Sequence, residues 1–215
     1  MEIRKLFRRE EKTKAVASVD EQSSVTGLHI LSQIPVAFQG EPGAYSFEVA
    51  RSYFKSQVRL CPYPTFAAVC EAVVTEQALY GVLPIANSQT GRMVEMERLV
   101  RLNPLAVIAT VDYPINHCLL CLPGQQLSDI VIATSHPQAL EQCSNFLKSL
   151  QVQIAPTENT AASAKMIRDK QLKGFAAVAS ASAAEYYQLE VLASAIQNTR
   201  DNTTRFVIVQ KNKKM

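Results

Sequence analysis

The residues best equipped for chemistry gather near the end of the chain, in Asp201-Asn202-Thr203-Thr204-Arg205-Phe206, which runs into Val207-Ile208-Val209. A polar cluster feeding a β-branched apolar run reads as a turn entering a buried strand. At the entry stand a hydroxyl (Thr204), a guanidinium (Arg205) and an aromatic wall (Phe206). A guanidinium grips a carboxylate through two parallel, charge-assisted hydrogen bonds, so this pattern suits recognition of a small acid. The plainer reading of the same residues is a surface ion pair at Arg205 and a turn capped by Thr204.

Polar turns of this kind recur upstream, each between a strand-like run and a helix-like one. Val36-Ala37-Phe38-Gln39 reads as a strand, Gly40-Glu41-Pro42-Gly43 as a tight turn, and Ala44 to Ala50 as the start of a helix. That order presents backbone N–H groups to an anion, although the GxGxxG spacing of a dinucleotide site is absent. Thr65 is placed to cap a helix whose Phe66, Val69, Cys70 and Val73 follow helical spacing. Leu79 to Ile85 is the next strand, ending in Ala86-Asn87-Ser88-Gln89-Thr90-Gly91 ahead of a helix with Met93, Met96, Leu99 and Val100 on one face. Leu105 to Val111 and Cys118 to Leu122 are strands flanking a hinge at Asp112-Tyr113-Pro114-Ile115-Asn116-His117.

The alternation continues beyond the hinge. Strands at Ile130 to Thr134, Val152 to Ala155 and Phe175 to Ala179 each lead into a helix, opened by Ser135-His136-Pro137-Gln138, Thr157-Glu158-Asn159-Thr160 and Ser180-Ala181-Ser182. Such alternation implies an α/β fold with largely parallel sheets. The hinge divides it into two lobes, the first about 35–112 and the second about 113–210, within a unit spanning 35–212 and preceded by a polar, flexible leader over 1–34. Converging strand ends would line a cleft with N–H groups, hydroxyls and positive helix termini, which suits a small, multiply anionic ligand.

Composition narrows the remaining classes. Residues 1–14 hold six Lys/Arg against three Asp/Glu, and that surplus of +3 is the whole chain's formal net charge. The rest is balanced, which argues against a nucleic-acid-binding body. No apolar run is long enough for a membrane span, so no membrane partner is expected. Five cysteines, an odd number in mostly apolar context, fit free thiols in a reducing cytoplasm. Cys118 and Cys121 form a CxxC but lack a second ligand pair, and read as buried strand cysteines. No metal cluster or nucleotide motif appears, and cofactor-free chemistry is expected.

The chain resembles the prephenate dehydratase domain family, and especially its arogenate-dehydratase-like branch. The matching segments are Val36 to Ser46, Gly81 to Ser88, His117-Cys118-Leu119-Leu120, Ser135 to Leu140, Thr160-Ala161, Ala179-Ser180-Ala181 and Asn202 to Phe206, in the family's order and spacing. The resemblance implies two α/β lobes, like a type II periplasmic binding protein, with prephenate held between them. It places Thr204 on the catalytic threonine and Arg205 on the carboxylate-binding arginine. Asn87, Ser88, Gln138 and Thr160 fall on pocket positions, and Phe206, Ser135 and Tyr45 join them as expected substrate contacts. A homodimer is compatible with the family.

Two departures stand out. The family's Pro-Ile-Glu-Asn-Ser is here Pro84-Ile85-Ala86-Asn87-Ser88, and Arg92 stands where small residues are usual. The chain also stops at Met215, leaving no room for the regulatory ACT domain that usually follows. Prephenate is a cyclohexadienol with a carboxylate and a pyruvyl arm on one ring carbon and a hydroxyl opposite. Loss of CO2 sends two electrons into the ring, and they expel the hydroxyl only if an acid protonates it. Without that acid, a ring carbon is protonated and the hydroxyl stays.

The absent Glu therefore points first to the non-aromatising prephenate decarboxylases of secondary metabolism, whose product is a dihydro-4-hydroxyphenylpyruvate. Arg92 is then either a second carboxylate contact or a solvated side chain. The acid that protonates carbon stays open among water, Tyr45 and His136. A dehydratase giving phenylpyruvate from prephenate, or phenylalanine from arogenate, is the second expectation, and a non-catalytic small-anion-binding module the third.

Overall fold

A computed structural model describes residues 33–55 and 58–213; residues 1–32 of the expected leader lie outside them, and Ile34, its last residue, already belongs to the first strand. Two sheets organise these residues. The first is built from β1 (Ile34–Gln39), β2 (Val58–Tyr63), β3 (Tyr80–Asn87), β5 (Leu105–Pro114) and β11 (Thr203–Lys211), in the order β2-β1-β3-β11-β5, with the two-residue β4 (Gly91–Arg92) against β3. The second runs β10 (Glu190–Ala193), β6 (Cys118–Cys121), β9 (Phe175–Ala179), β7 (Ile132–Ser135), β8 (Gln153–Pro156). These are the two lobes of a mixed α/β fold. The chain passes into the second lobe at Ile115–His117 and returns after β10.

The final strand corrects the expected boundary. β11 lies between β3 and β5, antiparallel to both, so residues 203–211 belong to the first lobe and not the second. Its run of buried Phe206 to Val209 needs cover on both faces, which the helices packed on either side of the sheet provide. Alternation then sorts its side chains. Val207 and Val209 pack with Val69 and Val73 of α2 (Phe66–Val74), with Met96 of α3 (Val94–Leu102) nearby. Phe206 and Ile208 pack with Val49 and Ala50 of α1 (Tyr45–Phe54) on the other face.

In the second lobe, α4 (Pro137–Gln142) and α5 (Ser144–Leu150) cover one face, while α6 (Thr160–Lys170) and α7 (Ala181–Tyr187) cover the other. Cys118 belongs to the α6/α7 cluster and Cys121 to the α4/α5 cluster. An offset of three in a strand puts side chains on opposite faces, so the CxxC is two separate core residues. Burial pushes the Cys121 thiol up to about 11. Side chains cap α2 (Thr65), α6 (Asn159) and α7 (Ser180), each accepting from the N–H three residues on, while His136 caps α4 through the Gln138 amide.

The lobes meet closely at Gly43. Gly43, at φ +87, places its Cα so that a Cβ would fall 2.7 Å from Ala183 Cα of α7. Ser180 donates its hydroxyl to the Gly43 carbonyl at 2.8 Å, fixing the same contact. Among the described residues no helix is long and apolar enough to cross a membrane.

Candidate active site

A cleft of about 520 Å³ opens between the lobes, at the ends of β3, β7 and β11. Its walls are the turn entering α1, the start of α3, one side of α4, the start of α6, and Thr204 with Phe206. Thr204 and Phe206 share a face of β11 by the period of two, and both are almost fully buried.

Two backbone amides settle the orientation of the polar network at the floor. The N–H groups of Gln89 and Thr90 donate to Asn87 Oδ1 at 2.9 and 3.2 Å. Asn87 Nδ2 is therefore turned the other way, donating to Thr204 Oγ1 at 2.9 Å and Asn202 Oδ1 at 2.8 Å. Asn202 Nδ2 in turn donates to Gln142 Oε1 at 3.3 Å, which also lies 3.1 Å from His117 Nε2. An acceptor there requires a hydrogen on Nε2. Burial holds the His117 pKa below its usual 6.5, so the ring is neutral and Nδ1 is the acceptor facing Tyr45 Oη at 3.1 Å. Tyr45 Oη also lies 2.8 Å from the Asn116 carbonyl, which competes for its single proton. Burial, with Glu48 next, pushes the Tyr45 phenol well above its usual range.

Two groups are left free by this arrangement. Thr204 Oγ1 accepts from Asn87, so its own O–H is available to the cleft. Gln142 spends its oxygen on Asn202 and His117, so its NH2 is available too. The cleft's formally charged walls are Glu95 and Glu158; no lysine or arginine lines it among the described residues.

The structure gathers some of the expected site residues and not others. Asn87, Gln138, Thr160, Tyr45, Thr204 and Phe206 all line the cleft. Gln138 Nε2 reaches Thr90 Oγ1 across the mouth at 3.4 Å. Ser135 does not line it: fully buried, it donates to the Val178 carbonyl at 2.6 Å. Ser88 braces the turn behind β11, donating to Asp201 O at 2.9 Å and accepting from Thr203 N at 3.0 Å.

Both arginines depart from the cleft. Arg205 alternates away from Thr204 and forks onto Asp112 of β5, Nε–Oδ1 2.7 Å and Nη2–Oδ2 2.9 Å. That is the surface ion pair, and it holds the Asp112 carboxyl below its usual range. Arg92 pairs with Glu97 in the same bidentate way, in solvent. Ala86 sits directly between them, paired across the sheet with Arg205 on one side and Arg92 on the other. Its side chain therefore lies on the face opposite Asn87 and Thr204. An acid at this position would meet two guanidinium groups, not the cleft, which corrects the expectation that Ala86 strips the pocket of an acid.

Gln142, Asn202 and His117 were not singled out as site residues from sequence. Gln142 carried a signal, since it lies one helical turn after Gln138 on the same side of α4. Asn202 stood within the quoted Asn-Thr-Thr-Arg-Phe segment, but its contacts depend on residues 115 positions away in the chain.

The arogenate dehydratase/prephenate dehydratase 1 of Arabidopsis thaliana is 37% identical over 180 residues, covering 84% of this chain and 46% of that protein. The chain thus spans about half the length of the curated relatives it matches. Among solved structures, GqqA, described as a quorum quenching acylase, superposes with TM-score 0.75 at 34% identity, covering 82% of this chain and 64% of that one. The prephenate dehydratase of Arthrobacter aurescens, solved with L-Phe, gives TM-score 0.75 at 25% identity, covering 83% and 60%. The prephenate dehydratase family model matches residues 36–214, and the chain belongs to that family.

Proposed function

We propose that the chain is a dehydratase that aromatises prephenate or arogenate with loss of CO2 and water. The carrying observation is the polarity of Thr204: its oxygen accepts from Asn87 at 2.9 Å and its proton is free for a ligand. Donation into an oxygen makes that hydroxyl's own proton easier to give, because hydrogen bonds in a chain polarise one another. In the reaction the bond from ring carbon to carboxylate breaks and its electron pair enters the ring. The bond from the opposite carbon to its hydroxyl then breaks, and the departing oxygen takes the Thr204 proton and leaves as water. Solvent restores the threonine. Asn87 and Asn202 hold the hydroxyl in place, and Phe206 walls the ring.

The decarboxylase reading rested on Ala86 as a gap in the acid machinery, and an outward-facing position removes that support. An acylase would need Thr204 as a nucleophile with a base accepting its proton. Its partner is instead the donor Nδ2 of Asn87, the wrong polarity for that task. Of the two substrates, the charges favour arogenate, whose ammonium suits a cleft with Glu95 and Glu158 in its walls.

The test is to incubate the protein with each substrate and identify the product. Phenylalanine from arogenate, or phenylpyruvate from prephenate, supports the reading. CO2 release with the ring hydroxyl retained, or binding without turnover, refutes it.

A further inference from the structure

We infer that the N-terminus of α1, together with the Ser46 hydroxyl, is the subsite for the carboxylate on the substrate's side chain. This rests on the dehydratase reading of the cleft and supplies the grip that Arg205 does not provide. Dehydratase substrates are carboxylates, yet no cationic side chain lines the cleft among the described residues. The negative charge must be met by N–H and O–H groups.

The helix α1 is 10 residues long, and Ala44 at its N-cap offers no side-chain acceptor. The amides of Tyr45, Ser46 and Phe47 precede the first helical bond, from Glu48 N to Ala44 O at 3.1 Å, and find no acceptor among the described residues. Ala44, Tyr45 and Ser46 line the cleft. Ser46 is the independent observation: it is 6% exposed, lines the cleft, and its hydroxyl has no hydrogen-bond partner among the described residues. A hydroxyl that opens into the cleft and is not spent on the protein is free to donate to a bound oxyanion.

The other helix starts suit an anion less well. Asn159 already caps α6 through Ala162 N at 2.7 Å. The first turn of α3 carries Glu95 and Glu97. The first-turn acid of α1, Glu48, is turned away, accepting from Tyr113 Oη at 2.7 Å, and does not line this cleft.

Which carboxylate binds there follows from catalysis. Holding the carboxylate that departs as CO2 would stabilise the ground state more than the transition state and slow the reaction. The side-chain carboxylate survives into product, so gripping it anchors substrate without that penalty. Product should therefore use the same subsite.

The experiment is calorimetric binding of phenylpyruvate and L-phenylalanine to wild type, Ser46→Ala and Ser46→Thr, and of prephenate and arogenate to the same three proteins carrying Thr204→Val so that substrate is not converted, with thermal melts to establish folding. The subsite predicts that Ser46→Ala weakens the better-bound substrate and its product alike, on the order of tenfold, and that Ser46→Thr, which keeps the hydroxyl, recovers most of that loss. Unchanged substrate affinity in a folded Ser46→Ala protein overturns the proposal. So does weakened substrate binding with product binding untouched, since that places the departing carboxylate there. Ligand affinity is read without turnover, so a wild type that binds but yields no aromatic product overturns the dehydratase reading alone.

Discussion

Thr204→Val is the sharpest test of the acid assignment, because valine keeps the β-branched shape and removes only the hydroxyl. The structure sets the size of each effect. Among the described residues Thr204 Oγ1 makes one hydrogen bond, from Asn87 Nδ2 at 2.9 Å. Asn87 keeps its other donated bond, to Asn202, and both accepted bonds, so the floor stays in place. One N–H loses its partner in a site where Asn87 is 5% exposed, which costs about 1–3 kcal/mol. Because the lost partner faced the cleft, water can replace it and the lower end applies, a fall in Tm of about 2–4 °C. The chemical step loses its proton donor, a fall in kcat of about 10²–10⁴, or ~3–5.5 kcal/mol. Steady-state turnover of arogenate and prephenate, with substrate affinity by calorimetry, separates the two costs. Thr204→Ser should recover kcat to within about tenfold of wild type, since it keeps the donor. A folded Thr204→Val protein with kcat within threefold of wild type would refute the assignment of Thr204 as acid.

Further outcomes follow from features away from Thr204. Ala86→Glu should leave the product unchanged and alter stability by only about 0–1 kcal/mol, because the new carboxylate meets Arg205 and Arg92 on an exposed face; a changed product ratio by chromatography would return an acid to the site. Gly43→Ala should cost about 1–3 kcal/mol from overpacking against Ala183, with strain at φ +87 adding to it; an unchanged urea midpoint would contradict the lobe contact described. The His117 pKa is lowered by burial, so the unfolded chain binds more protons below pH 6.5. Stability is then full above 6.5 and falls as pH drops below it, by at most about 1.4 kcal/mol per pH unit for this one group. His117→Gln should flatten that slope in denaturant titrations between pH 5 and 6.5, where His136, also lowered by burial, contributes in the same direction.

The strands that are apolar throughout were legible in the sequence, β11 most clearly, and so were the helices opened by Thr65 and by Pro137 after His136. β2 was not, because Arg59 and Pro62 interrupt its pattern. An edge position, paired with β1 alone, is where a sheet accepts proline. Arg205 was within reach of the alternation rule, since Thr204 and Phe206 could share the cleft only if the residue between them faced away. Ala86 was not, because its surroundings depend on register. β3 carries one extra residue, Ile85, between the partners of Arg205 and Phe206, and nothing local announces that bulge. The network through Asn87, Asn202, Gln142 and His117 was invisible for a related reason: its members approach only once both lobes have formed.

The place of β11 carries a cost in folding order. β3 and β5 flank it and are not each other's neighbours, so the first sheet remains split in two until the last strand arrives. Arg205 and Asp112, which meet across that seam, are 93 residues apart in the chain. The whole second lobe is synthesised in between and can collapse locally, while the earlier half waits with open edges. Any chain cut before Thr203 would thus lose the Thr204 hydroxyl of the cleft and the keystone of its scaffold together, and ribosome-bound nascent chains should gain protease resistance in the later-made lobe before the earlier one.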